Sequence, residues 1–354
     1  MKKYFVTLFL SVFCFVVQVS AQSSVIATLF HDGDIKTFYG SGALRNAHAA
    51  AVHGDVITLS SGSFTATDIT KAVTLRGAGM EYDSISVTEP TIISGNFGIQ
   101  IASDSTLQNN NLVMEGIYHN AAGVITVKGV LSHPQFVKCR FYAIKCDSGN
   151  NLNYMYNANF INCMINSDIY VHKVSSGTFV NCYVASIDHY YSTDISQQSA
   201  FFEFQNSVVR DNDFNILTNF VFRNCFLYGT GTTTNRNVFT TLSQAYNCIG
   251  MSANTDNIFI HQSNNANTMV SAFSDVFKTW TGSYSAYFKA KHLELTDAAK
   301  TKYLGSDGTQ IGIYGGSIPF DPRPSNPQIT KLNVASKSTA DGKLSVDIEV
   351  KAAE

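Results

Sequence analysis

Apolar positions in the middle of the chain recur in one short phrase. The segments Phe136 to Phe141, Phe160 to Ile165, Phe179 to Val184, Phe204 to Val209 and Phe222 to Leu227 share the template Phe-x-Asn-Cys-x-aliphatic, with Lys138, Phe141 and Ser207 as the main departures. A weaker copy follows at Ala245-Tyr246-Asn247-Cys248, and the same register extends upstream through Gly116, Gly95 and Gly77. A period near twenty residues is the mark of a solenoid. Helical repeats would space their apolar residues by three and four, whereas these units alternate around a single interruption at Asn. Each unit therefore predicts strand, tight bend, strand, with Asn at the bend because it tolerates the left-handed backbone better than other side chains. Stacking the units places Phe on Phe and Cys on Cys, giving one core column of Phe136, Phe160, Phe179, Phe204 and Phe222. Beside it runs a second column of Cys139, Cys163, Cys182, Ser207, Cys225 and Cys248, and the stacked Asn amides can bond to one another.

These phrases resemble the pectin- and pectate-lyase-like superfamily, whose members carry asparagine ladders and aromatic stacks on their inner turns. The resemblance implies an all-β fold, a right-handed parallel β-helix of about nine coils over residues 55–317. The segment Asp307 to Gly316 is similar to the closing segment of exported β-helix proteins from Bacteroidetes-type bacteria and is expected to form the last partial coil.

An open solenoid end is a bare sheet edge and needs a cover. Residues 22–54 supply it: Leu44, Ala47, Ala50 and Ala51 fall on one helical face between Ser41 and His53, which predicts a short cap helix. Pro319, Pro322, Pro324 and Pro327 mark residues 318–328 as an extended linker. Beyond it, Ile329 to Val334 and Leu344 to Val350 alternate around Asp341-Gly342, so residues 329–354 read as a β-hairpin tail.

Composition adds the compartment. Residues 1–21 have a lysine pair, an apolar stretch and a small-residue cleavage site at Val19-Ser20-Ala21, so a signal peptide cleaved near Ala21 is expected. Export leaves the protein secreted, periplasmic or on the cell surface, and no later stretch is long and apolar enough for a transmembrane segment. Charged residues are 14% of the chain with a formal net charge of −2. No basic patch points to nucleic acid. Cys146 stands outside the stacked column. The parallel Cβ vectors of stacked cysteines argue against disulfides and for buried free thiols.

The candidate chemistry lies in the loops after the second strand of each coil. In β-helix enzymes of the superfamily the sugar chain lies along one outer sheet beside such loops. Here they carry Asp168, His172 and Lys173, then Asp188, His189 and Asp194, then Arg210, Asp211 and Asp213. A basic group beside uronate-binding carboxylates has the ingredients of a lyase, with Ca²⁺ as the possible cofactor, and the catalytic candidates are Arg210, Asp211, Asp213 and Asp188. Tyr154, Tyr156, Tyr170, Tyr183, Tyr190 and Tyr191 are candidate outward aromatics. Substrate binding falls to Tyr190, Tyr191, Asp168 and His189. His31, His48, His53, His119, His133, His261 and His292 show no metal-ligand spacing, and most of them are read as surface or turn residues. Asn254-Thr-Asp256 matches one motif of β-helix polygalacturonases, but that family's paired aspartates, Gly-His-Gly and Arg-Ile-Lys are missing, so its activity is not implied. The sequence thus favours a glycan-binding or structural surface protein, with a polysaccharide lyase or hydrolase acting on an acidic glycan as the alternative.

Overall fold

The structure is a computed structural model describing residues 25–84, 88–102, 111–120, 122–146, 153–171, 174–189, 200–211, 213–214, 217, 219–254, 256–262, 265–282, 289–324, 328–335, 337–339 and 341–351. It is mostly β and built on long parallel sheets consistent with a solenoid. The first sheet has eleven strands. Nine of them, from Val56–Leu59 to Gln244–Tyr246, pair in parallel, one per coil. A second sheet runs from Gly62–Thr65 to Thr268–Met269, and a third branches from it through Phe97–Ile99, Val124–Val127 and Ala143–Cys146.

The bend between the first and second sheets is where the template sits. Lys138, Asn162, Asn181, Asn206, Asn224 and Asn247 all hold φ between 47° and 55°. Their N–H groups donate to the next coil, as Asn181 does to Gln205 and Asn206 to Arg223. Gly77 and Gly116 continue this corner upstream, Gly77 donating to the Glu115 carbonyl and Gly116 to that of Val137. Gly95 does not; it stands between the second and third sheets, so Gly77 and Gly116 are successive positions of this corner.

Inside the corner the predicted columns stack. The ring centroids of Phe136, Phe160, Phe179, Phe204 and Phe222 lie 4.4 to 4.9 Å apart. Ile57, Leu75 and Met114 continue the column below, and Ala245 ends it above, with Phe239 packed on Phe222 at 5.2 Å. In the neighbouring column each thiol donates backward. Cys163 reaches the Phe136 and Ile161 carbonyls at 3.2 and 3.4 Å, and Ser207 reaches Phe179 and Gln205 in the same way at 3.3 and 2.8 Å. The shared requirement is a small donor, which is why a serine stands among cysteines. None of the six described cysteines, Cys146 included, is in a disulfide, and all are buried. Burial pushes the Cys139, Cys182 and Cys225 thiols well above their usual range. In a chain lacking residues 1–21, Ellman's reagent is expected to find almost no reactive thiol in the native state and six after unfolding without reductant; two or more missing after unfolding would reveal a disulfide.

The N-terminal end is closed by more than a helix. Strands Ile26–His31 and Asp34–Tyr39 form an antiparallel hairpin on the edge of the first sheet. Its turn, Asp32-Gly33, has both φ values positive, as a two-residue hairpin demands. The helix runs Ala43–Ala50 and buries Ala43, Leu44, Ala47 and His48. His48 thus occupies the buried face where Ala50 was expected, its Nε2 accepting from the Thr70 N–H at 3.2 Å. His119 is also a core residue, wholly buried, edge-on to Phe97 at 5.2 Å with Nε2 on the Gly95 carbonyl.

The larger correction concerns the C-terminal part. Met164, Tyr183, Val208, Phe226 and Ile249 form a cross-strand row on the outer face of the second sheet, yet all are buried. They lie beneath Val276, Phe277, Trp280, Leu293, Leu295, Ile311 and Ile313. Tyr183, expected outside, is therefore edge-on to Trp280 at 6.3 Å. The segment Asp307 to Gly316 is not a last coil but lies along the asparagine corner. Ser306 donates to Asn224 Oδ1 at 3.0 Å, Asn181 Nδ2 donates to the Ile313 and Gly315 carbonyls at 2.7 Å each, and Asn162 Nδ2 reaches Pro319 at 3.5 Å. The amides thus turn outward to this strap instead of bonding to one another. A Cβ at position 315 would fall 1.6 Å from the Gln310 carbonyl, so glycine is required there. Within the proline-rich stretch, Phe320 and Pro324 are buried, Pro324 lying against Gly79 and Gly116. Beyond it, Gln328–Val334 pairs antiparallel with Val346–Lys351.

Candidate functional site

The third sheet positions the site. Its strands alternate, with Ile144, Ile169 and Ile187 turned into the core at 0 to 1% exposure and their neighbours turned out. The register aligns Gly98, Thr126, Lys145, Tyr170 and Asp188 as one outward row across five coils. Neighbours in such a row stand about 4.8 Å apart. The two later strands, Met164–Val171 and Tyr183–His189, reach the third sheet by continuing from the second through a register shift between Ile165 and Asp168.

Charges of both signs meet on this row. The Lys145 ammonium lies 4.2 Å from the centre of the Tyr170 ring, within cation–π range. Tyr170 stands in register with Asp188, and its hydroxyl favours the ionised form of that carboxyl. Asp168 stands one row over, paired with Ser186, and one of its oxygens accepts from the Ser167 hydroxyl at 2.7 Å. Burial raises the Asp188 pKa and the Asp168 charge adds to it, while Tyr170 and Lys145 pull the other way. At the first coil of the row, Gly98 donates its N–H to Asp68 at 2.6 Å, and Lys128 lies beside it. The result is a strip of half-buried side chains that sets Tyr170 between the Lys145 ammonium and the Asp188 carboxylate.

The proposed cluster of Asp168 to Asp213 is therefore divided. Asp168 and Asp188 come together on the strip. Arg210 is on the outer face of the second sheet, paired in register with Tyr228. Asp211, expected on an exposed loop, is 1% exposed and continues the inward alternation of Val209; its carboxylate accepts from the N–H groups of Ile187 and Asp213 at 2.9 Å each. It is a structural bracket between coils. Asp213 faces Arg236 at 3.6 Å. His189 ends its strand, opposite Val171. Tyr190, Tyr191, Asp194, His172 and Lys173 lie outside the described residues, as does the side chain of His189.

Sequence reasoning missed Lys145. The signal was present: Lys145 and Asp188 each stand six residues after the template cysteine of their coil, and Tyr170 stands seven after, the extra residue being taken up at the register shift. Among the described residues no group of three or more His, Cys, Asp or Glu could hold a metal ion, and no helix is long and apolar enough to cross a membrane. Comparison of the chain with protein-family models, with curated proteins and with solved structures found no significant match.

Proposed function

We propose that the chain is an exported, right-handed parallel β-helix protein of the cell surface or its surroundings that binds a glycan along its third sheet. The observation that carries this reading is the single row Lys145, Tyr170, Asp188. A linear sugar chain repeats along its length as the coils do, so successive residues can meet successive coils. Lys145 offers a cation to an acidic group or a hydroxyl, Asp168 and Asp188 accept from hydroxyls, and Tyr170 offers a pinned ring. The signal-like residues 1–21 support export. The template at the asparagine corner supports the right-handed coil.

Affinity electrophoresis through gels cast with neutral and acidic polysaccharides tests the proposal. Retardation by at least one polysaccharide is expected. Tyr170→Ala and Lys145→Ala should each weaken it about tenfold, an effect of about 1.4 kcal/mol, with the circular dichroism spectrum unchanged, because both half-buried side chains lie outside the core. Retardation unchanged in both variants removes the site from this face. A lyase reading draws on the same geometry, since a raised carboxyl beside a phenol and an amine can move protons. Release of unsaturated uronate products from an acidic polysaccharide, abolished in Tyr170→Phe, is the result that favours it.

A further inference from the structure

We propose a second, independent binding site, for a neutral sugar, in the cleft at the C-terminal end of the coil stack. The cleft has a volume of about 670 Å³ and lies between the loop around Asn235 to Thr241 and the segment Asp256 to His261 that closes the last coil. That size suits one or two sugar rings. Its apolar side is Val238, Phe239 and Ile260; its polar side includes Thr240, Asp256 and His261. Ile260 stands 58% exposed at the rim, an isolated apolar surface beside a carboxylate.

The carboxylate is held by a relay that begins in the interior. Asn237 is wholly buried and is fixed on Gly231, accepting from its N–H and donating to its carbonyl at 2.8 Å each. Asn237 also donates to Asn254 Oδ1 at 2.9 Å, which accepts from Ser252 at 2.6 Å. Asn254 then donates to Asp256 Oδ2 at 2.8 Å, and the Asn235 N–H donates to the same oxygen at 3.0 Å. Burying an amide is costly unless every bond is made, and here the completed network ends on one carboxylate at a cleft wall. These bonds use Oδ2; among the described residues none reaches Oδ1, which is left to a ligand. Preorganisation of this kind serves binding.

The lining selects the ligand class. Among the described residues it contains a single carboxylate and neither lysine nor arginine, so a uronate meets repulsion and no counter-charge, whereas vicinal hydroxyls meet an acceptor. Threonine, asparagine and histidine side chains can donate or accept, and Val238 with Ile260 can cover the C–H face of a pyranose. Among the described residues too few acidic or imidazole groups converge to favour a bare cation.

The test is isothermal titration calorimetry on the full chain in EDTA with the methyl pyranosides of glucose, galactose and mannose and with glucuronate. At least one neutral glycoside should bind with Kd about 1 mM, and glucuronate should bind more weakly. Asp256→Asn keeps an oxygen for Asn254 and Asn235, so it should melt near the wild type and bind about tenfold more weakly. Ile260→Ser, at an exposed position, checks the apolar side with the relay intact and should also weaken binding. No neutral glycoside binding at about 50 mM, a preference for glucuronate, loss of binding in EDTA, or wild-type affinity in both variants overturns the proposal. Weakening by Lys145→Ala also overturns it by placing the sugar on the lateral strip, whereas failure of the strip leaves the cleft untouched.

Discussion

Replacing Phe179 by Ala is expected to lower the unfolding free energy by roughly 3–5 kcal/mol. The ring is 1% exposed and lies 4.4 Å from Phe160 and 4.5 Å from Phe204, within 5° of parallel to both. Its backbone cannot move to fill the void, because the strand Ser176–Val180 is hydrogen-bonded in register to a coil on each side. The rings above and below cannot approach without breaking that ladder. Chemical denaturation followed by circular dichroism measures the loss, and Phe179→Leu should recover more than half of it. A loss under about 1 kcal/mol would mean that the column is not a close-packed core.

Asn181→Ala is expected to be the next most damaging single change, at about 2–5 kcal/mol. Two causes add. Alanine at φ 52° carries a left-handed penalty of about 1–2 kcal/mol, and the two bonds to the Ile313 and Gly315 carbonyls at 2.7 Å contribute about 0.5–1.5 kcal/mol each. Asn181→Gly separates them, since glycine adopts the conformation freely but cannot hold the strap. It should be the milder of the two, while in both variants limited proteolysis should cut between Ser306 and Gly316 faster than in the wild type. Equal cleavage rates in all three proteins would show that the strap does not depend on Asn181.

The core and the corner were legible because every coil repeats the same demand. A phenylalanine over a phenylalanine, an asparagine at a left-handed bend and a small donor after it are local rules, and five near-copies make each visible. The covered outer face of the second sheet was not read, though its signal was there. Met164-Ile165, Tyr183-Val184, Val208-Val209 and Phe226-Leu227 are consecutive apolar pairs, and a strand apolar on both sides is buried on both sides. What no local rule gives is the covering element. Ser306 meets Asn224 across 82 positions and Ile313 meets Asn181 across 132. Asp211 misled for a related reason: a charged residue near a strand end reads as a loop until the inward alternation from Val209 is followed one step further. Lys145 and Asp188 shared an offset that was readable, whereas the extra residue before Tyr170 hid the third member of the row.

The strap makes the protein a measured object. Stacked solenoids ordinarily gain or lose coils freely, because each coil touches only its neighbours. Here a chain segment returns from the far end and meets Asn224, Asn181 and Asn162 in turn before Pro324 reaches Gly116. It acts as a ruler laid against the stack: a coil inserted or deleted between Asn162 and Asn224 leaves every later mark out of step. Length variation in such a molecule is therefore confined to the ends, or to paired events that lengthen ruler and stack together. The same arrangement sets an order of assembly, since the marks must be in place before the ruler can be read.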